Sequence, residues 1–127
     1  MDFTGKAIIV TGGASGIGQA TAREFAARHG AVAIFDRNDE SGRATAAELR
    51  GAEYFHVDLA VSAEVKDAVE QAAARLGGID ILANVAGIQR YGTAVTTSDA
   101  EWDETLNANV RSAWLASKYT IPHMIRR

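Results

Sequence analysis

The 127-residue sequence predicts an α/β fold, a doubly wound parallel sheet in strand order 3-2-1-4 with helices on both faces. Three observations predict it. Short apolar runs alternate with segments whose apolar residues recur at the helical period. The runs are apolar throughout rather than alternately polar, the pattern of strands covered on both faces. The first run passes straight into glycines at positions 12, 16 and 18. Apolar strands alternating with helices build parallel sheets, and crossovers between parallel strands are almost always right-handed.

Residues 7–10 (AIIV) form the first expected strand. A helix follows, because Gly18, Ala22, Phe25 and Ala26 share one stripe, and Gly30 is expected to close it. Residues 31–35 are the second strand, ending at Asp36. Residues 39–50 read as a helix whose apolar side is carried only by Ala and Leu. The third strand is residues 54–57, ending at Asp58. Ser62 is the expected N-cap of the clearest helix. In that helix Val65, Ala68, Val69, Ala72, Ala73 and Leu76 keep the helical rhythm until Gly77-Gly78 stop it. Residues 79–85 are the fourth strand, and 88–97 a polar loop. Ser98-Asp99-Ala100-Glu101 is a capping box. It opens a long helix carrying Trp102, Leu106, Val110, Ala113 and Trp114.

The length suits a single domain, residues 1–127, with a core large enough to dispense with metals and disulfides. There is no Cys, hence no disulfide framework and no thiolate metal site, which fits a reducing compartment. His29, His56 and His123 have no metal-like spacing, so no metal is expected. Net charge is −3 and no dense basic stretch occurs, so neither nucleic acid nor an anionic membrane is an expected partner. The opening MDFTGKAIIV has too short an apolar run for a signal peptide. No stretch approaches the roughly 20 apolar residues of a membrane span. A cytoplasmic protein is expected.

A turn between strand and helix at the carboxyl edge of such a sheet faces the unpaired N–H groups and positive dipole end of the helix. Phosphate suits that place. Gly12 makes the tight turn, Gly16 lets backbone approach a pyrophosphate, and Gly18 lets the helix pack closely. A plain glycine-rich turn is the simpler reading, but strand before and stripe after supply the context of a nucleotide loop. Asp36 stands 18 residues after Gly18, near the spacing of a ribose-binding acid. A carboxylate there accepts from the adenosine 2′- and 3′-hydroxyls and repels a 2′-phosphate. A solvated residue at a strand end is the alternative. Arg37 complicates the choice, since its guanidinium suits a 2′-phosphate. NAD is expected over NADP.

Thr11-Gly12-x-x-x-Gly16-x-Gly18 is neither G-x-G-x-x-G nor a P-loop, since Gln19 stands where lysine would be needed. The pattern T-G-x-x-x-G-x-G resembles that of the short-chain dehydrogenase/reductase family. Asp36 after the second strand, Asp58-Leu59 after the third, Asn84-Val85-Ala86-Gly87 after the fourth, and Asn109-Val110 in the long helix match further motifs of that family in order. The resemblance covers the whole chain and implies a Rossmann-like sheet, a nicotinamide dinucleotide cofactor and alcohol–ketone hydride transfer. It implies cofactor contacts from Gly12, Ser15, Gly16, Ile17 and Gly18 in the loop, and from Asp36 and Arg37 at the ribose. By the same resemblance Asp58 and Leu59 meet the adenine, and Asn84, Ala86 and Gly87 pass beside the ribose. Asp58 also fits an ordinary turn, and Ala86-Gly87 fit plain close packing. The resemblance gives Asn109 a catalytic part, holding a water through its backbone. Its place on the stripe with Trp102, Leu106 and Val110 also suits a buried amide tying down a neighbouring loop.

The family's serine and Tyr-x-x-x-Lys pair have no counterpart here. Four residues after Tyr54, Tyr91 and Tyr119 stand Asp58, Val95 and His123. Ser117-Lys118-Tyr119 holds the right residue types in an order that makes them diverge on one helix. The chain therefore resembles the family's N-terminal half, truncated after the fourth βα unit and inactive alone. A stand-alone dinucleotide-binding module remains the alternative, as does a fold relative that binds S-adenosylmethionine. The fourth strand would then be a bare apolar edge, with Trp102 and Trp114 partly uncovered. Such an edge invites pairing, so a homo-oligomer or a complementary C-terminal fragment is the expected partner. Gln89, Arg90 and Tyr91 are placed to line a substrate mouth.

Overall fold

The computed structural model describes residues 1–127. The apolar runs become β1 (Ala7–Thr11), β2 (Ala31–Asp36), β3 (Ala52–His56) and β4 (Ile81–Ala83). They pair in parallel in the order β3-β2-β1-β4, which is the expected order. Ile8 sits opposite Val32 and Ile81, so β1 is flanked on both sides. Successive side chains of a strand point to opposite faces. Ile9, Ala33 and Phe35 therefore join one core cluster, while Ile8, Val10, Val32 and Ile34 join another on the far side.

The helices are α1 (Gly16–Ala27), α2 (Asp39–Glu48), α3 (Ser62–Leu76), α4 (Asp99–Leu106) and α5 (Ser112–Arg126). Ala22 of α1 packs into the Ile8 cluster. Val65, Val69 and Leu115 bring α3 and α5 onto the Ile9 cluster. Both faces of β1 are thus covered, and each of its residues is buried. The Ser98–Glu101 capping box is formed with both reciprocal hydrogen bonds.

Several local expectations shift. Left-handed backbone at the end of α1 falls on His29 (φ 69°) rather than Gly30. Gly30 is held instead by close packing, since a Cβ there would come within 2.6 Å of Ile8 Cδ1. Ser62 does not cap α3. Val61 holds that position, and the Ser62 hydroxyl pairs with Tyr119 Oη at 2.6 Å, joining α3 to α5. The weakly patterned α2 forms because Asn38 caps it, accepting from Ser41 N at 3.0 Å. β4 is shorter than the apolar run, because register with β1 ends at Ala83. The long helix is not continuous. Between α4 and α5, Asn107–Arg111 widens into a π turn. Its expected core stripe also faces outward, with Trp102 60% and Val110 61% exposed. No helix is long and apolar enough to cross a membrane.

Candidate functional site

The crossover direction reverses between β1 and β4, and a crevice opens there at the carboxyl ends of the strands. The crevice is an open cleft of about 640 Å³. Its floor is the loop after β1. Gly12 takes φ +68°, and a Cβ there would lie 2.8 Å from Ala86 Cα. A side chain on Gly18 would overlap the Gly12 carbonyl. So Gly18 packs against the loop itself more than against the sheet. Around Gly16 the position a Cβ would occupy is open space. Ser15 is the N-cap of α1 but makes no side-chain cap, and no acidic residue stands in the first turn. The first-turn N–H groups of α1 and their positive dipole end are left uncompensated by side chains.

Thr11 fixes this floor to the β4 exit. Its hydroxyl accepts from Val85 N at 3.0 Å and Ala86 N at 3.1 Å, and leans toward the Ala83 carbonyl at 3.4 Å. One hydroxyl thereby uses its donor and both lone pairs.

Asp36 forms the wall at the end of β2. Oδ1 accepts from Arg37 N at 2.7 Å and Asn38 N at 3.1 Å, and Oδ2 accepts from Ala14 N at 3.1 Å. The Ser41 hydroxyl donates to the Ala14 carbonyl. Both backbone groups of Ala14 are therefore gripped, and the acid is locked onto the glycine loop. Gln19 Nε2 reaches Thr45 Oγ1 at 2.8 Å, tying α1 to α2 behind that lock. Arg37 extends over the cleft to Asp58 Oδ2 at 3.6 Å. Its side chain is 71% exposed, so this pair is weak.

Of the residues singled out from sequence, Gly12, Ser15, Gly16, Ile17, Gly18, Asp36, Arg37, Asp58, Leu59, Ala86 and Gly87 all border the one cleft. Asn84 does not. Its amide turns away toward Ser117 Oγ at 3.3 Å. Asn109 is exposed rather than buried. Its amide is nevertheless engaged at both ends: Nδ2 donates to the Ile88 carbonyl at 2.9 Å, and Oδ1 accepts from Ile88 N at 2.8 Å. Gly87 is required beside it, since a Cβ there would overlap Asn109 Oδ1. The neighbouring Asn107 and Ala108, on the π turn, line the cleft, as do Val57, Ala60, Val85, Ile88 and Glu104. Val85 belongs to the Asn84–Gly87 motif, whereas Val57, Ala60, Ile88, Glu104, Asn107 and Ala108 carry no sequence signal of their own beyond adjacency to flagged residues.

Arg90 is drawn off to Glu104 at 2.8 Å. Ser117 parts from Lys118 and Tyr119, but those two do not diverge fully, since Lys118 Nζ lies 5.4 Å from the Tyr119 ring centroid. Ser117 meets Asn84, Tyr119 meets Ser62, and Lys118 Nζ lies 5.1 Å from the Trp114 ring centroid. His, Asp and Glu side chains nowhere gather in threes as a metal site would need.

A glycine-floored crevice with an acid at the second strand defines a Rossmann-like nucleotide-site architecture. The chain belongs to the short chain dehydrogenase family, whose pattern it matches over residues 6–127. It is 41% identical, over 99% of its length, to 2,5-dichloro-2,5-cyclohexadiene-1,4-diol dehydrogenase of Sphingobium indicum, covering 51% of that protein. It is 43% identical over 87% of its length to D-threitol dehydrogenase of Mycolicibacterium smegmatis, covering 44% of it. Among solved structures, it superposes with TM-score 0.92 and 37% identity on a short chain dehydrogenase from Burkholderia cenocepacia in complex with NADP. That match covers 98% of this chain and 53% of the other. The 3-ketoacyl-(acyl-carrier-protein) reductase from Brucella melitensis complexed with NADH gives TM-score 0.92 at 34% identity, covering 96% and 51%. The chain thus spans about half the length of the relatives it matches.

Proposed function

We propose that this chain is the nicotinamide-dinucleotide-binding portion of an alcohol–ketone oxidoreductase, a single domain incomplete relative to its family, and that it takes NAD in preference to NADP. The observation that carries this reading is the Asp36 carboxylate. Three backbone N–H groups fix it at the end of β2, beside the glycine loop that leads into an uncapped helix N-terminus. A pyrophosphate suits the open side of Gly16 and the first turn of α1. An adenosine ribose one strand away would then present its hydroxyls to Asp36, where a 2′-phosphate would meet like charge.

The nicotinamide ring, when bound, supplies hydride transfer. The residues of this chain bind and orient rather than transfer protons. Gly12, Gly16 and Gly18 admit the diphosphate. Asp36 selects the ribose, and Asp58 and Leu59 border the adenine side. Asn109 fixes the Ile88 backbone at the far rim. The Ser–Tyr–Lys chemistry of the family would come from a segment beyond these residues. Relatives bound to NADP and to NADH both share this fold, which is why the choice rests on Asp36.

β4 pairs only with β1, and its other edge is open. A second copy or a C-terminal segment is the proposed cover for that edge and for the exposed Trp102 and Val110.

Calorimetry with NAD, NADP, ADP-ribose and S-adenosylmethionine tests the reading. ADP-ribose should bind about as well as NAD, NADP more weakly, and S-adenosylmethionine not at all. A hydride assay on the chain alone should show no turnover. Binding of S-adenosylmethionine without ADP-ribose would overturn the proposal.

A further inference from the structure

The corner that carries Asp36 is braced from below by a side chain outside the cleft. Tyr54 lies on β3 opposite Ile34 of β2, and its ring runs along the sheet face under α2. Its hydroxyl stands 2.9 Å from the Asp36 carbonyl and 2.6 Å from Asp39 Oδ1. The Asp36 carbonyl also accepts from Val57 N at 2.9 Å. Both lone pairs of that carbonyl are thereby engaged, which fixes the peptide plane leading into Arg37 and Asn38. Those two residues supply the N–H groups that aim the Asp36 carboxylate.

The arrangement is built around the ring. A Cβ on Gly42 would overlap the Tyr54 ring atoms, so the glycine makes room for the phenol to pass under α2. One hydroxyl proton faces two acceptors. His56 Nδ1 lies 2.6 Å from the same Asp39 Oδ1 and offers it a second donor. The contact to the carboxylate is the shorter of the two, so the phenol proton is shared between Asp39 Oδ1 and the Asp36 carbonyl, and the one hydroxyl ties the start of α2 to the Asp36 corner. The phenol stays a donor, because burial first, and then its bond to Asp39, push its pKa well above the ordinary tyrosine value.

We propose that Tyr54 is a positioning residue for coenzyme choice: its hydroxyl holds the Asp36 corner in place and so sets how strongly a free ribose 2′-hydroxyl is preferred over a 2′-phosphate. This rests on the reading of Asp36 as the ribose acid. A looser corner loses the aimed hydrogen bonds to ribose. It also spreads the negative charge that a 2′-phosphate would meet.

The test is calorimetry on the full chain with ADP-ribose and 2′-phospho-ADP-ribose, for the native protein, Tyr54→Phe and Gly42→Ala. Tyr54→Phe keeps the ring and removes only the hydroxyl. ADP-ribose affinity should fall about fivefold, the scale of one net hydrogen bond, with little change for the phosphorylated ligand, so the preference narrows about fivefold. Amide exchange at Arg37 and Asn38 should quicken in parallel. Gly42→Ala keeps the hydroxyl but displaces the ring, and should narrow the preference likewise. A merely structural role would weaken both ligands equally. An unchanged ratio in both variants overturns the role of Tyr54 and leaves the ribose acid standing. A native chain that binds neither ligand, or both alike, overturns the two together.

Discussion

Replacing Thr11 by Val isolates the group that joins the glycine loop to the β4 exit. The two side chains are nearly the same size, so the change removes one hydroxyl and leaves the packing. Thr11 is 2% exposed, and no water can take the place of its oxygen without rearrangement. The N–H groups of Val85 and Ala86 both depend on it, at 3.0 and 3.1 Å. A buried polar group left without a partner costs about 1–3 kcal/mol. Both amides are only partly buried, so the low half of that range applies to each, giving a total of about 2–4 kcal/mol. Against a typical stability of about 5–15 kcal/mol for a domain, that is a large fraction.

Urea unfolding of Thr11→Val beside Thr11→Ser measures it. The Val variant should lose the stated amount with an unchanged dependence on denaturant, since the surface exposed on unfolding is the same. Its thermal midpoint should drop by about 8–16 °C, at roughly 4 °C per kcal/mol for a chain of this size. The Ser variant keeps the hydroxyl and should lose less than half as much. A Val variant within about 0.5 kcal/mol of the native protein, the usual scatter for an unimportant surface change, would refute the bridging role of Thr11.

Asp36→Asn keeps the shape but removes the charge, and should weaken ADP-ribose about tenfold, in line with a charge-assisted hydrogen bond, while NADP is affected less or binds better. Gly18→Ala should destabilise by about 1–3 kcal/mol through overpacking against the Gly12 carbonyl, read from the same urea titrations. Acid sensitivity should reside partly in Asp80. Burial raises its pKa, but the Ala7 N–H and Arg127 outweigh burial and leave it below the ordinary value. A depressed carboxylate contributes stability above its unfolded value of about 3.9 and loses it as pH falls through the lower folded value. Asp80→Asn should therefore flatten the fall in stability below about pH 4; an unaltered acid limb would refute this. The chain should also self-associate on concentration, and Trp102→Glu with Val110→Glu should reduce that, as light scattering would show. A native chain that stays monomeric throughout would argue against an uncovered interaction face.

Sheet order and the sequence of elements were legible because strands buried on both faces are apolar without interruption. Residues 7–10 and 31–35 show this plainly. The limits of legibility lie where one face is not covered. The stripe of Trp102, Leu106 and Val110 has the period of a core-facing helix, and period alone does not say whether anything packs on it. The same period puts Asn109 on that stripe, yet it lies in the open on the π turn. Ser62 preceded an apolar rhythm as a cap would, yet its hydroxyl serves Tyr119, a partner 57 positions away. Ser41 and Thr45 left only a faint trace, small polar residues on the thin apolar side of α2. They turn out to hold Ala14 and Gln19.

The motifs that were legible are coupled in space more tightly than their spacing suggests. Gly12 has no room for a side chain because Ala86 lies against it, and Gly18 has none because Gly12 does. Gly87 is small because Asn109 reaches over it to clasp Ile88. Thr11 stitches the first of these motifs to the second, and Asp36 stitches the first to the end of β2. Gly12 and Gly87 are thus explained by neighbours from distant parts of the chain, and Gly18 by its own loop. Substitution at one site should then disturb the others, and double changes such as Thr11→Val with Gly12→Ala, both of which meet Ala86, should depart from additivity, as residues sharing partners do.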